Sequence, residues 1–322
     1  IYGEEILFFI FFLMWTYFAG FRPQAYGTEK FMDYGFMEAM MRSTTLPARD
    51  LWYSEGTINY YYGGQYFAVF LTKLTGSKVE LTYNLMRTFV AAFAFVLPFS
   101  LVRQMSVDRL KGSLTGKKRC LPAVAGIIAG ISVSIAGNMH YVVYSKIIPW
   151  LQNLQGKEAD SYWFPDATRY IGYNPDVPDK TIHEFPCYSF VLGDLHAHVV
   201  NVMFVTFLVG MLYAWMKKIR SAGPEPEKQD VRDFWLKQLL MPHILLAAVL
   251  LGMFQWTNYW DFVIYFVVIA GFSLYGALYR YHARAKETIG TVLLQAAEAF
   301  AIGTIVALPF TMKFETMVSG VG

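Results

Sequence analysis

The sequence predicts an all-α polytopic membrane protein of about seven transmembrane helices, and three observations carry that prediction. Hydrophobic residues make up 55% of the 322 and aromatic residues 18%, while charged residues reach only 16%. Soluble domains usually carry roughly 25% charge. Several apolar runs approach the roughly 20 residues that cross a hydrocarbon core. Basic residues collect between those runs, as membrane topology requires. The net charge of +3 points to no nucleic-acid partner. The two cysteines, Cys120 and Cys187, do not make a disulfide framework.

Residues 2–20 are apolar and aromatic and read as the first span. A polar, aromatic segment, 21–62, follows. Thr28 stands where it would cap a short helix over 29–42, and on that helix Glu29 and Asp33, four apart, share a face. Residues 65–74 are apolar but too short to cross. Tyr66, Phe67 and Phe70 suit a helix lying along the interface. Residues 81–102 span, with Arg87 inside, and 103–119 form a basic loop. Residues 121–144 span again. Residues 145–193 form a long connection rich in aromatics, Asp and Pro. Residues 194–216 span, and 217–237 are basic and contain a Gly223-Pro-Glu-Pro226 connector. Spans at 239–256 and 261–279 are joined by a tight turn at 257–260. A basic segment, 280–286, precedes the last span at 289–309.

This organisation is a single transmembrane domain over residues 1–322. The chain opens on Ile1 and stops in 318–322 without a closing element, so it reads as a fragment of a longer chain. Placing the basic segments 103–119, 217–237 and 280–286 in the cytoplasm puts 21–80 and 145–193 outside as two external loops. The expected location is the plasma membrane, multi-pass, with the active face extracytoplasmic.

The most unusual stretch is 183–198, HEFPCYSFVLGDLHAH. It sets His183, Glu184, Asp194, His196 and His198 at the mouth of a span. Ionisable groups there are costly to keep and mark a functional site by default.

Four blocks carry a resemblance: Glu29-Lys-Phe-Met-Asp33, Asn59-Tyr60-Tyr61-Tyr62, Trp163-Phe-Pro-Asp166-Ala-Thr-Arg169, and His183-Glu-Phe-Pro with Gly193-Asp-Leu-His-Ala-His198. Together they resemble the "YYY" family of polytopic membrane proteins, which is similar to the GT-C glycosyltransferases. Ala197 stands where family members often have proline. The resemblance implies a first external loop with two interfacial helices. It implies an acidic residue after the first span serving catalysis, for which Asp33 matches best and Glu29 second. The donor it implies is a sugar on a polyprenyl phosphate.

The chemistry fits those residues, and plainer readings stand beside it. A carboxylate of raised pKa would take the proton of an acceptor hydroxyl, although Glu29 and Asp33 can also be solvated charges on a short helix. Asp194 and His198, four apart, would hold one divalent cation (Mg or Mn) if the helix begins there; alternatively Asp194 caps the span. Arg87 would bind a lipid phosphate or pair with an interior carboxylate such as Glu298. Arg169 and Lys180 are further phosphate candidates. His183, Glu184 and His196 line the same mouth. Asn59, Tyr60 and Tyr61 adjoin it; Tyr62, Trp163, Trp256 and Trp260 are other aromatics able to stack on sugars or to form an interface belt. Asp261 is placed to cap its span.

The leading function is therefore an integral membrane glycosyltransferase of GT-C type. Its partners are membrane lipids, a lipid-linked sugar donor, and further subunits or the missing remainder of the chain. A metal-dependent hydrolase or lipid phosphatase built on Asp194 and His198 is the first alternative. A transport or assembly subunit is the second.

Overall fold

A computed structural model describes residues 2–173, 175–225 and 231–315. Among these the chain is helical, with two isolated bridges, Arg49 to Thr57 and Tyr173 to Asp176, as its only extended pairing. Five helices are long and apolar enough to cross a membrane: α1 (Tyr2–Gly20), α4 (Val79–Arg109), α9 (Ala197–Ala222), α12 (Tyr259–Tyr281) and α13 (Ala285–Thr311). A sixth apolar helix, α11 (Pro242–Thr257), has 16 residues. Asn258 alone joins it to α12.

The expected span at 121–144 is interrupted. Helix α5 (Leu121–Ser134) ends ten residues early, and α6 (His140–Val142), a π-helical turn and α7 (Ile148–Leu154) follow. The break comes at Gly137-Asn138. The Phe185 ring fills the place of a side chain at 137, and the Asn138 amide donates to Ala167 O at 2.6 Å. A tertiary contact with the 145–193 segment thus replaces further helix. That segment also carries α8 (Pro186–Leu192). The basic 217–237 segment holds the end of α9 and α10 (Val231–Gln238); its connector ends at Pro226, outside the described residues.

The segment 21–78 holds two short helices, α2 (Lys30–Arg42) and α3 (Gly63–Thr75). At 1.5 Å per residue, 13 residues reach about 20 Å, short of the roughly 30 Å of a hydrocarbon core.

Among the described residues two large apolar cores result, with a small third cluster of Phe234, Ala277 and Tyr281. One joins α1, α2, α3, α4 and the first half of α9 around Met37, Val69, Tyr83, Val90 and Val200. The other joins α9, α11, α12 and α13 around Leu208, Leu212, Ile244 and Phe254. Helices α11 and α13 meet at Gly252 and Gly303: a Cβ on Gly252 would stand 2.6 Å from Gly303 O. Small residues give such backbones their close approach inside a membrane.

The basic segments gather at one end. Lys217 Nζ lies 2.7 Å from an Asp108 carboxylate oxygen, and the Glu225 amide donates to Arg280 O at 2.8 Å. Along α4, Arg87 and Asp108 are separated by about 32 Å. The residues around Arg87 therefore occupy the opposite end of the bundle from the basic segments.

Candidate functional site

At that opposite end, the turn between α8 and α9 is the meeting point. Gly193 closes α8 in the left-handed region, φ +81, and both its N–H and that of Asp194 return to Ser189 O. A glycine ends helices this way because it has no Cβ to strain. The four residues Gly193-Asp-Leu-His196 are then gripped from every neighbouring element.

Asp33 reaches the turn from α2. It is fully buried. Its Oδ2 accepts the Leu195 N–H at 3.0 Å and its Oδ1 accepts the Gln65 amide at 2.8 Å. The same Gln65 Nε2 donates to Leu195 O at 3.0 Å, so one side chain on α3 ties α2 to the turn. Burial pushes the Asp33 carboxyl up to about 6, with His196 and the two hydrogen bonds pulling against it.

Glu29, directly before α2, is solvent-exposed and accepts from His196 Nε2. Burial works against the charge of His196, but Asp33, Glu29 and Asp194 together outweigh it. His196 holds its proton to higher pH than an ordinary histidine. Both candidate carboxylates thus act on one imidazole, Glu29 through a hydrogen bond to Nε2 and Asp33 through its charge, while Nδ1 is buried without a partner.

Asp194 is buried and accepts the Thr28 hydroxyl at 2.7 Å; burial raises its carboxyl also. Thr28 was expected to cap α2 and Asp194 to cap α9, and neither does so. The cap positions are Glu29 and His196, without side-chain cap bonds. Thr28 and Asp194 satisfy each other across the two turns instead. Because α9 starts at Ala197, Asp194 lies outside it and shares no helical face with His198. His198 pairs with Glu184 at 3.3 Å, an interaction that lowers the Glu184 carboxyl. The His196 and His198 rings stack, centroids 5.7 Å apart. Among the described residues, no three His, Cys, Asp or Glu side chains gather in metal-binding geometry. The donor set proposed for a divalent cation is divided between Thr28 and Glu184 and does not fit that group.

Arg87 comes from α4. Its Nη2 donates to Ala19 O at 3.0 Å and Arg22 O at 3.1 Å, gathering the end of α1. It does not pair with Glu298, which accepts the Leu240 N–H at the far end.

Other expected ligands are engaged elsewhere. Asn59 makes a two-way amide bridge with the Glu315 backbone, at 2.8 and 2.9 Å. Tyr61 stacks on Phe310 and Phe314, and Tyr62 is buried against Trp256 and Phe310. Tyr60 stays with the site: its ring packs on Phe36, and burial, with Asp33, Glu29 and Glu184 nearby, raises its hydroxyl to about 12. Arg169 organises its own loop, donating to Pro165 O and lying over Trp163. Lys180 pairs with Asp176 at 2.7 Å. His183 stacks on Tyr170. Asp261 binds the amides of Asn201 and Asn258, locking α9 to the α11–α12 turn.

Sequence reasoning missed Gln65 and Lys30. Lys30 did leave a signal, because a lysine on the first residue of a helix opposes the helix dipole. Gln65 left a weaker one, a lone amide opening an apolar run.

No curated protein and no solved structure matches the chain. A family model, "Uncharacterized membrane protein (DUF2298)", matches residues 1–322. A helical bundle with five candidate spans and a carboxylate–histidine cluster at one end is thus the architecture of a multi-pass membrane protein, and the chain belongs to the DUF2298 family of membrane proteins.

Proposed function

We propose that the chain is an integral membrane glycosyltransferase of GT-C type that takes a sugar from a polyprenyl phosphate. One observation carries this reading: Asp33 is buried with its carboxyl raised to about 6, and its charge acts on an imidazole that is hydrogen-bonded to the exposed Glu29. A carboxylate tuned toward neutrality is what base catalysis near pH 7 needs. The four-block resemblance supplies the reaction class.

In this reading Glu29 and His196 face the acceptor and Asp33 holds the charge of His196 from within. The acceptor hydroxyl gives its proton to the Glu29 carboxylate. Its oxygen bonds to the anomeric carbon as the bond from that carbon to the phosphate oxygen breaks. The lipid phosphate leaves with the bonding pair. Tyr60 lines the approach.

Topology follows the same reading. Seven crossings result if α5 and α11 complete the five long helices; at about 21 and 24 Å by the helical rise they are little longer than α3, and what sets them apart is their place between the basic segments and the opposite end of the bundle. Helices α2 and α3 then lie along the interface, and the acid cluster faces away from the cytoplasm at the plasma membrane.

The test is transfer from a panel of polyprenyl phosphate monosaccharides by protein in nanodiscs. Asp33→Asn and Glu29→Gln are each expected to lower turnover by about a hundredfold or more, the range of general-base contributions. Normal turnover by both variants would overturn the assignment. Donor binding without turnover by the unaltered protein would favour a non-catalytic lipid-sugar carrier subunit.

A further inference from the structure

On the other face of the Gly193 turn from His196, two cations are buried together. Lys30 is 5% exposed and Arg87 6%. Both lie against Gly193, where an added Cβ would stand 1.8 Å from Arg87 Nη1 and 3.3 Å from Lys30 Cε. Among the described residues, Lys30 Nζ has no hydrogen-bond or ion-pair partner. Arg87 uses only Nη2, for the Ala19 and Arg22 carbonyls, and its Nε is buried without a partner.

Two like charges placed side by side away from water repel, and each loses hydration. The side chain of Lys30 responds accordingly: burial first, and Arg87 second, make its ammonium easier to deprotonate. Among the described residues Asp194 is the buried carboxylate whose charge acts on both, one negative charge against two positive ones. The protein itself therefore leaves this charge under-compensated.

The space nearby suits a small polar ligand. A cavity of about 250 Å³ is lined by Pro23, Ala25, Tyr34, Glu80, Tyr83 and Asn84. Tyr34 is four residues from Lys30 on α2 and Tyr83 four from Arg87 on α4, so two of the cavity's walls stand one helical turn from the cations, which do not themselves line it. Glu80, at its exposed rim, is the acid an anion would have to pass.

We propose that Lys30 and Arg87 form a buried anion site that takes a phosphate group, entering through the cavity between α2 and the start of α4. The phosphate bridges the ammonium and the free edge of the guanidinium. Charge-assisted hydrogen bonds of this kind are the stronger class, and Gly193 keeps the gap open by having no side chain. The site lies beside the carboxylate–histidine cluster, so the proposal extends the transfer reading. Its measurement needs no turnover.

The experiment uses the whole chain in nanodiscs of neutral lipid. Thermal unfolding is followed with inorganic phosphate, with pyrophosphate, with chloride at equal ionic strength, and with a polyprenyl phosphate added to the lipid. A rise in Tm with the soluble anions assigns free phosphate. A rise only with the polyprenyl phosphate assigns a lipid headgroup. No rise from any of them overturns the proposal. Lys30→Met is expected to abolish the rise and to increase Tm without ligand, because it removes an unpaired buried charge. A purely structural lysine gives the reverse, a lower Tm with the ligand response intact. Amine labelling of Lys30 in the unaltered protein, read by mass spectrometry, is a second measurement free of any folding defect. About tenfold protection by the anion that raised Tm is expected, and equal labelling with and without it overturns the site. Loss of this site leaves the Asp33 turnover test standing, and failure of that test leaves this site standing.

Discussion

Replacing Asp33 by asparagine separates the chemistry of the site from its architecture. The side chain is fully buried and keeps its shape on substitution. Its carboxyl is displaced from 3.8 to about 6, a change worth about 3 kcal/mol between the two protonation states. The folded pKa lies above the unfolded one. The stability this group gives is therefore complete below about pH 4 and is lost as pH rises through about 6. Asparagine carries no such dependence. It can accept the Leu195 N–H, but its amide then faces the Gln65 amide, a mismatch costing about 1 kcal/mol unless Gln65 turns over. Gln65 Oε1 is buried without a partner, so a turned amide would meet one. At pH 8 Asp33→Asn should thus be as stable as the unaltered protein or more so, by up to about 2 kcal/mol. Near pH 3 it should be less stable, by about 1 kcal/mol. Intrinsic-fluorescence unfolding in nanodiscs at the two pH values reads the crossing. An equal loss of stability at both values would refute the reasoning, because it would mean that the carboxylate is structural and fully satisfied by its two donors. His196 moves in the same direction, since its raised folded pKa also gives stability that fades as pH rises. Repeating the pair of measurements on His196→Gln isolates that share.

Gly193→Ala should destabilise by about 2–5 kcal/mol, combining a left-handed backbone with a clash against Arg87; a fall in Tm of under one degree would contradict the packing of the turn. His198→Ala should cost under about 1 kcal/mol of stability, since its pair with Glu184 is partly solvated, and its larger effect should be on donor affinity in the transfer assay. In a Cys120→Ser, Cys187→Ser background, an impermeant thiol reagent should label a cysteine at Ser161 but not one at Ser113 in intact cells. Equal labelling would remove the assignment of the two ends to opposite sides.

The long spans were legible because hydrophobic runs of this length have few alternatives, and α1, α4, α9, α12 and α13 stand close to where the runs lie. The two short helices of 21–78 were legible from a polar face and from insufficient length. The end of α5 was not, because Ile135 and Ala136 continue the apolar run and the contacts that break it, Phe185 on Gly137 and Asn138 on Ala167, come from distant sequence. In the site, charge picked out a stretch that the structure gathers against Asp33 and Glu29, and its pairs differ from those helical spacing predicts. Helical spacing joined Asp194 to His198, but that inference needed α9 to start three residues earlier. Once Gly193 turns the chain, Asp194 points to Thr28 and His198 to Glu184. Asn59 and Tyr61 looked like ligands because polar aromatic runs suit sugars. They are occupied by Glu315 and Phe314, on a segment about 250 residues away that local pattern cannot place.

The Gly193 turn explains why acid and base groups here can be both buried and separate. Its backbone presents Leu195 N–H and O to Asp33 and Gln65, which fixes one carboxylate by neutral hydrogen bonds. Gly193, which has no Cβ, lets the Arg87 guanidinium lie directly against the turn. Cations therefore collect at 193 and carboxylates at 195 and 196, two or three residues apart on one short loop. Where water is largely excluded, a displacement of that size changes how strongly each charge is felt by the others. A negative group held at the cation end would draw positive potential away from Asp194 and leave Asp33 and His196 as the titrating pair. Anion occupancy at Lys30 and the protonation of His196 are then coupled through Asp194, with each favouring the other. The coupling is reciprocal, so phosphate binding should tighten as pH falls through the titration of His196. A phosphate affinity that stays flat across that range would show the two faces of the turn to be independent.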